Sequence, residues 1–326
     1  METSKTADQS ELLFNRLTKR YRHLSKWAKR MGINSFRLYD RDIPEIPLVL
    51  DIYGDAVSGA VYKGPEQSTE TWLAAMRKAI TMALNVNEGY IFLKERQRFG
   101  QRQKTGEQYS RLQNKNIYRD AIEGDLRFRV NVSDYLDTGL FLDARRKRAL
   151  LRGEAKGKRV LNLFAYTCTL SVCAAKGGAH QVDSVDLSNT YLEWGKVNLA
   201  LNGIRDNGRY NFIQGDVMSF LAQAEKKKQR WDLIILDPPS FSNSKKMKGN
   251  LDIKRDYRKL IDMSLSLLNP EGTLWFSSNA KGFSLDNEDF PDHQIKDMTS
   301  ELTDEDFKGK KIPLCYEIKK GMGSRE

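Results

Sequence analysis

Several short stretches of the chain could do chemistry, and each comes at or just after the end of a strand-like segment. The first is Asn162, Phe164, Ala165, Tyr166 and Thr167 in LNLFAYT. The second is Asp186, Leu187 and Ser188 in SVDLS. The third is Asp216 and Val217 in IQGDV, and the fourth is Asp237, Pro238, Pro239 and Phe241 in IILDPPSF. A carboxylate about 20–25 residues beyond the first loop is suited to ribose hydroxyls. A carboxylate at the next strand end can accept from the exocyclic amine of adenine. Together they point to an adenosine-containing ligand.

The first loop has neither GxGxxG nor GxxxxGK[ST], the glycines that let backbone amides approach phosphates. A ligand without phosphates is therefore expected, and S-adenosylmethionine fits. The Asp-Pro-Pro turn is stiff, because proline fixes φ and removes amide donors. It resembles the (Asn/Asp)-Pro-Pro-(Tyr/Phe) turn of methyltransferases, which implies a grip on a planar amine or base beside the methyl donor, and Phe241 can stack on a base turned out of its helix. Upstream, DYLDTGLFLDAR enters a cationic helix, RRKRALLR. There Asp143 is placed to meet the ammonium of the donor's amino-acid end, and Arg145 its carboxylate.

The elements that must position these residues alternate. From about residue 158 the order is strand 158–166, helix 171–179, strand 180–188, helix 191–203, strand 210–216, a helix, strand 231–239, helix 256–272 and strand 273–279. Alternation of this kind predicts a doubly wound parallel sheet with ligands at the strands' carboxyl ends. The preceding sequence differs. Residues 11–31 space Leu13, Leu17, Leu24 and Trp27 for an amphipathic helix rich in Lys and Arg. Strand-like segments follow over 35–62, then a helix over 67–86, a strand in GYIFLKER and another at 126–132. Three regions are expected: a basic helix, 1–34; a small α+β domain for RNA, 35–132; and a Rossmann-like α/β domain of the class I methyltransferase type, 133–326.

Net charge is +11, with 54 Lys and Arg against 43 Asp and Glu. The cations cluster, and residues 94–119 hold eight of them beside two glutamates. This favours a polyanionic partner. Arg96, Arg98, Arg102, Lys104, Arg111, Lys245, Lys246 and Lys248 are candidate phosphate contacts, with Tyr109 for stacking. The three cysteines have no CxxC pairing, which argues against a disulfide framework or structural zinc and suits the cytoplasm. No apolar run reaches membrane-spanning length, and the N-terminus is not a signal peptide.

YLDTGLFLDARRKR, LNLFAYTCTLSV, VDLSNTYLEWGKVNLALNG and LDPPSFSNSKKM resemble the RlmK family, the 23S rRNA guanine-N7 half of the bifunctional RlmKL enzymes. The likeness covers most of the chain. It implies that Asp143, Phe164, Ala165, Tyr166, Asp186, Asp216 and Asp237 line the S-adenosylmethionine site. It also implies a flipped guanine, in helix 74 of 23S rRNA, near Pro238, Pro239 and Phe241. Two departures stand out. Cys168 occupies a first-loop position where glycine is expected. The RNA-binding THUMP and amino-methylating half of the bifunctional enzymes is not in this sequence, so the chain is read as either a stand-alone version or one half of a bifunctional enzyme, its other half separate or missing, acting on rRNA or on an assembling large subunit.

Guanine N7 carries an exposed lone pair, so neither a general base nor a catalytic metal is expected. A cytosine-C5 methyltransferase needs a thiolate that attacks C6; where the related enzymes place that cysteine, after the fifth strand, this chain has Phe276-Ser-Ser-Asn. A non-catalytic assembly factor would not need the strand-end acids, and a small-molecule methyltransferase would not need the basic segments.

Overall fold

The computed structural model describes residues 2–62, 69–96, 111–205, 208–243 and 249–320. The chain divides into two compact units: Met1–Leu142 with Glu305–Lys310, and Asp143–Asp304 with Lys311–Glu326.

The first unit begins with α1 (Glu2–Met31), followed by β1 (Ser35–Asp40), β2 (Leu48–Tyr53), β3 (Ala56–Tyr62), α2 (Glu70–Leu84), β4 (Ile91–Arg96), β5 (Tyr118–Glu123) and β6 (Leu126–Asn131). Strands β1 to β4 form one sheet in chain order. The first three are antiparallel neighbours, and β4 runs parallel to β3 after the α2 crossover. Thr69 caps α2 by accepting from the Trp72 amide at 3.2 Å. The expected basic helix is present, but it is not a separate region. Leu13, Leu17, Leu24 and Trp27 join Leu38, Leu50, Trp72 and Ile80 in one core. The helix needs that core, because its apolar stripe has to be buried to hold it. Hairpin β5–β6 takes in the end of the basic run expected to be loop or ribbon.

The second unit contains α3 (Arg145–Glu154), β7 (Arg159–Leu163), α4 (Thr169–Lys176), β8 (Gln181–Asp186), α5 (Asn189–Leu201), β9 (Tyr210–Gln214), α6 (Val217–Lys226), β10 (Trp231–Leu236), β11 (Phe241–Ser242), β12 (Leu251–Asp252), α7 (Ile253–Ser266), β13 (Leu268–Ser278), β14 (Gln294–Asp297) and β15 (Leu314–Lys319). Seven strands make one sheet in the order β14-β15-β13-β10-β7-β8-β9. The β13-β10-β7-β8-β9 strands are parallel, and β15 is the reversed strand between β13 and β14. This is the class I methyltransferase architecture. Apolar runs such as WDLIIL fill the central strands because helices cover both faces. Leu161, Leu163, Ile234, Leu236 and Phe276 pack with Leu221, Leu260 and Ile261. The order reverses between β7 and β10, so the ligand crevice belongs at their carboxyl ends. Asn-Pro-Glu-Gly, expected to end the preceding helix, instead lies within β13, where the register against β10 shifts.

Candidate active site

The loop after β7 shows how the chain manages without glycine. Phe164, Tyr166 and Cys168 all have left-handed backbones, with φ of 58°, 51° and 58°. Such residues cost roughly 1–2 kcal/mol each, so packing and hydrogen bonds must hold them. They are held. The Ala165 amide donates to Val185 O at 3.0 Å and the Cys168 amide to Ala165 O at 2.8 Å. Asn198 Nδ2 donates to Thr167 O at 2.9 Å. The Tyr166 ring meets Tyr191 edge-on at 4.5 Å. Ala165, Thr167 and Cys168 are buried, while Phe164 and Tyr166 are partly open. Beneath them Asn162 donates to Ser171 at 2.9 Å, and the Ser171 hydroxyl lies 2.8 Å from that of Ser184. The Asn162 Oδ1 is buried and accepts no hydrogen bond among the described residues.

Asp186 ends β8 and ties two loops together. Oδ2 accepts from the Tyr166 amide and Oδ1 from the Ser188 amide, each at 2.8 Å. Burial pushes its carboxyl above the ordinary 3.8, against the pull of these amides. Ser188 is the residue before α5, and Leu187 lies half-buried between them. Asp216 caps α6 by accepting from the Ser219 amide at 2.9 Å. Val217 is the buried first residue of that helix.

Asp237 follows β10. Its Oδ2 accepts from Lys147 Nζ at 2.6 Å, and Lys147 also donates to Ser277 at 3.0 Å. Lys147 is 7% exposed, whereas Asp237 is 35% exposed. Burial works against the Lys147 charge, but the Asp237 carboxylate outweighs it and the ammonium is held above its ordinary range. Pro238 is buried, Pro239 is half-buried and Phe241 is exposed on the short β11. Sequence reasoning missed Lys147, because RRKRALLR contains five cations of similar appearance. In the structure Lys147, Arg148 and Leu151 are buried, but the same spacing from Leu150 would equally have marked the exposed Arg146.

Two expectations need correction. Arg145 is buried, and Nη1 donates to Asp304 at 2.9 Å, so its guanidinium already has a carboxylate partner. Asp143, half-buried just before α3, contributes to the field that keeps Lys147 charged. Of the expected phosphate contacts, Arg96 pairs with Asp137 and Arg111 with Asp134. Each pair lies within the first unit; Arg96 is half-buried, whereas Arg111 remains exposed beside its carboxylate. Arg98, Arg102, Lys104, Tyr109, Lys245, Lys246 and Lys248 lie outside the described residues.

The profile of S-adenosylmethionine-dependent methyltransferases matches residues 66–294. The chain belongs to that family. This methyltransferase is 45% identical over 310 residues to "Ribosomal RNA large subunit methyltransferase K" of Neisseria meningitidis, an alignment covering 94% of this chain and 86% of the relative. It is 42% identical to "Ribosomal RNA large subunit methyltransferase K/L" of Pseudomonas fluorescens, covering 94% of this chain and 40% of that one. The chain thus spans about two-fifths of the length of its K/L relatives. A crystal structure of a methyltransferase complexed with SAH superposes with a TM-score of 0.72 at 25% identity, covering 95% of this chain and 81% of that one.

The methyl donor of this methyltransferase is S-adenosylmethionine, and the residues fit it. Asp186 spends one hydrogen bond per oxygen on backbone, which leaves lone pairs for ribose hydroxyls. Asn162 keeps a buried acceptor in reserve. The left-handed loop offers backbone approach without a phosphate cradle.

Proposed function

We propose that the chain methylates N7 of a guanine in 23S rRNA, in the helix 74 region, with the base turned out of its duplex. The names of the relatives support an rRNA substrate. The observation that carries the base assignment is the pairing of Asp237 with an exposed Phe241 beside the switch point. One carboxylate oxygen is held by Lys147, and the other accepts nothing from the described residues.

Bound S-adenosylmethionine supplies an electrophilic methyl group on a sulfonium. The chain's residues align and stabilise. Phe241 offers a face for the purine, and Pro238 and Pro239 keep the turn rigid. As N7 is alkylated the purine gains positive charge, and its N1–H and N2–H become better donors. The Asp237 carboxylate accepts from that edge and favours the cation. N7 loses no proton before attack, so the scheme needs no base.

The cytosine-C5 alternative requires a thiolate. Cys168, Cys173 and Cys315 are all buried free thiols. Burial pushes Cys168 and Cys315 far from ionisation at neutral pH. We assign Asp143, Asn162, Phe164, Ala165, Tyr166, Thr167, Asp186, Leu187, Ser188, Asp216 and Val217 to the donor side of the site. A partner carrying the amino-methylating half of the longer relatives would act on the same rRNA region. The test is an Asp237→Ala variant, which should lose about 10²–10³-fold in turnover at saturating S-adenosylmethionine. Full turnover would remove Asp237 from the reaction.

A further inference from the structure

Lys147 lies in an unusual place for a lysine. It sits on the inner face of α3, 7% exposed, between the ends of two parallel strands. It bonds the Asp237 carboxylate after β10 and the Ser277 hydroxyl of β13. Ser277 in turn donates to Cys315 Sγ at 3.7 Å, which fixes its rotor: the proton points to sulfur and the lone pair to the ammonium. Burying an ammonium is costly, and an apolar side chain of similar volume commonly serves stability as well or better. The charge therefore calls for a reason other than packing. The geometry supplies one. Asp237 has two equivalent oxygens and, alone, could rotate. Here Oδ2 is committed to Lys147, and Oδ1 accepts nothing from the described residues.

We propose that Lys147 is a positioning residue for methyl transfer. Braced by Ser277, its ammonium holds Asp237 so that Oδ1 is presented to the N1–H and N2–H edge of the target guanine. The inference rests on the guanine reading given above. Lys147 touches neither donor nor base, and acts through the carboxylate. It makes Asp237 a fixed acceptor, so its loss should reduce discrimination for the 2-amino group as well as rate.

The test is a cycle between enzyme and substrate, measured by single turnover. Wild type and Lys147→Met are each given the target RNA with guanine, or with inosine, which lacks the 2-amino group, at the methylated position. Wild type should lose about tenfold or more on inosine, the scale of a lost hydrogen bond to a charged group. Lys147→Met should be about 10²-fold slower on guanine, with calorimetric affinity for S-adenosylmethionine unchanged, because misplacing a positioned group costs on this scale. It should also show little further loss on inosine. A merely structural defect would slow both substrates in proportion and so keep the whole inosine penalty. Ser277→Ala, a milder change, should lose part of the inosine penalty. It decides the matter if Lys147→Met fails to fold. Wild type indifferent to inosine, or variants that keep the whole penalty, would overturn the proposal. A wild-type product other than 7-methylguanosine would instead overturn the reading beneath it.

Discussion

Gly195 and Cys168 share one space. A Cβ on Gly195 would lie 2.6 Å from the Cys168 Sγ and 2.7 Å from its Cβ. Cys168 occupies the left-handed position before α4 where a glycine would be unstrained, and α5 gives up a side chain to admit it. Gly195→Ala should destabilise the protein by roughly 1–3 kcal/mol, the usual cost of overpacking. Adding Cys168→Gly should recover much of it, because the two shortest contacts go and the backbone strain is relieved, leaving Phe212 Cε1 at 3.1 Å from the new methyl. Chemical denaturation of the two variants checks this. Equal stability of both would break the link.

If Asp186 accepts from the donor's ribose as proposed, donor binding should depend on pH. Its carboxyl is pushed above 3.8 by burial. A raised folded value means that its contribution to stability is present below the unfolded value and is lost as pH rises through the folded one. The free protein therefore gains from protonation of Asp186 at acid pH, while donor binding loses the acceptor for the ribose. Affinity for S-adenosylmethionine should be flat near neutrality and fall on acidification through the raised value. Asp186→Ala should remove this step and weaken binding about 10–100-fold, the scale of hydrogen bonds to a charged group. Calorimetry across pH is the measurement; a wild-type profile matching that of the variant would exclude Asp186 from the site.

The Arg145–Asp304 pair is buried on both sides, at 7% and 3% exposed. Asp304→Ala removes the carboxylate from a buried guanidinium and should cost about 3–5 kcal/mol. Replacing both residues by apolar ones of similar size should restore most of that stability. It should also leave donor affinity near wild type, because Arg145 serves the fold. A large loss of donor affinity in the repacked double variant would return Arg145 to the cofactor's carboxylate.

Asp134 stabilises the first unit through a separate network. It accepts from Ser133, Arg111 and Asn131, and from the amides of Lys115 and Asn116. Burial alone would raise its carboxyl, but these donors bring it down to about 2. A depressed value means stability that is present above the unfolded pKa and lost as pH falls toward about 2. The contribution at neutral pH is on the order of 2 kcal/mol. Asp134→Asn should lose that amount at pH 7 and show a flatter acid limb in a pH-stability titration.

The strand ends were legible from the strand–helix alternation, and the structure places Asp186, Asp216 and Asp237 at or just after the carboxyl ends of β8, β9 and β10. Other features were hidden for specific reasons. The short, polar QIKD of β14 has no apolar signature, because it is an edge strand. Phe164, Tyr166 and Cys168 do not announce left-handed backbones; tertiary packing imposes them. In α3, Arg145 and Lys147 are buried and Arg146 is exposed, yet one-letter codes show three equal cations. What distinguishes them is Asp304 and Asp237, distant in sequence and supplied only by the fold. The α1 helix read correctly as amphipathic, but the first unit's core that its stripe enters was not visible in its own residues.

The most direct test of the account is the identity of the methylated nucleotide. The protein would be incubated with labelled S-adenosylmethionine and unmodified 23S rRNA, and the RNA digested and mapped by mass spectrometry. The account predicts 7-methylguanosine at a single position, in the helix 74 region. A 5-methylcytidine product would contradict both the base assignment and the reading that none of the buried cysteines attacks a base.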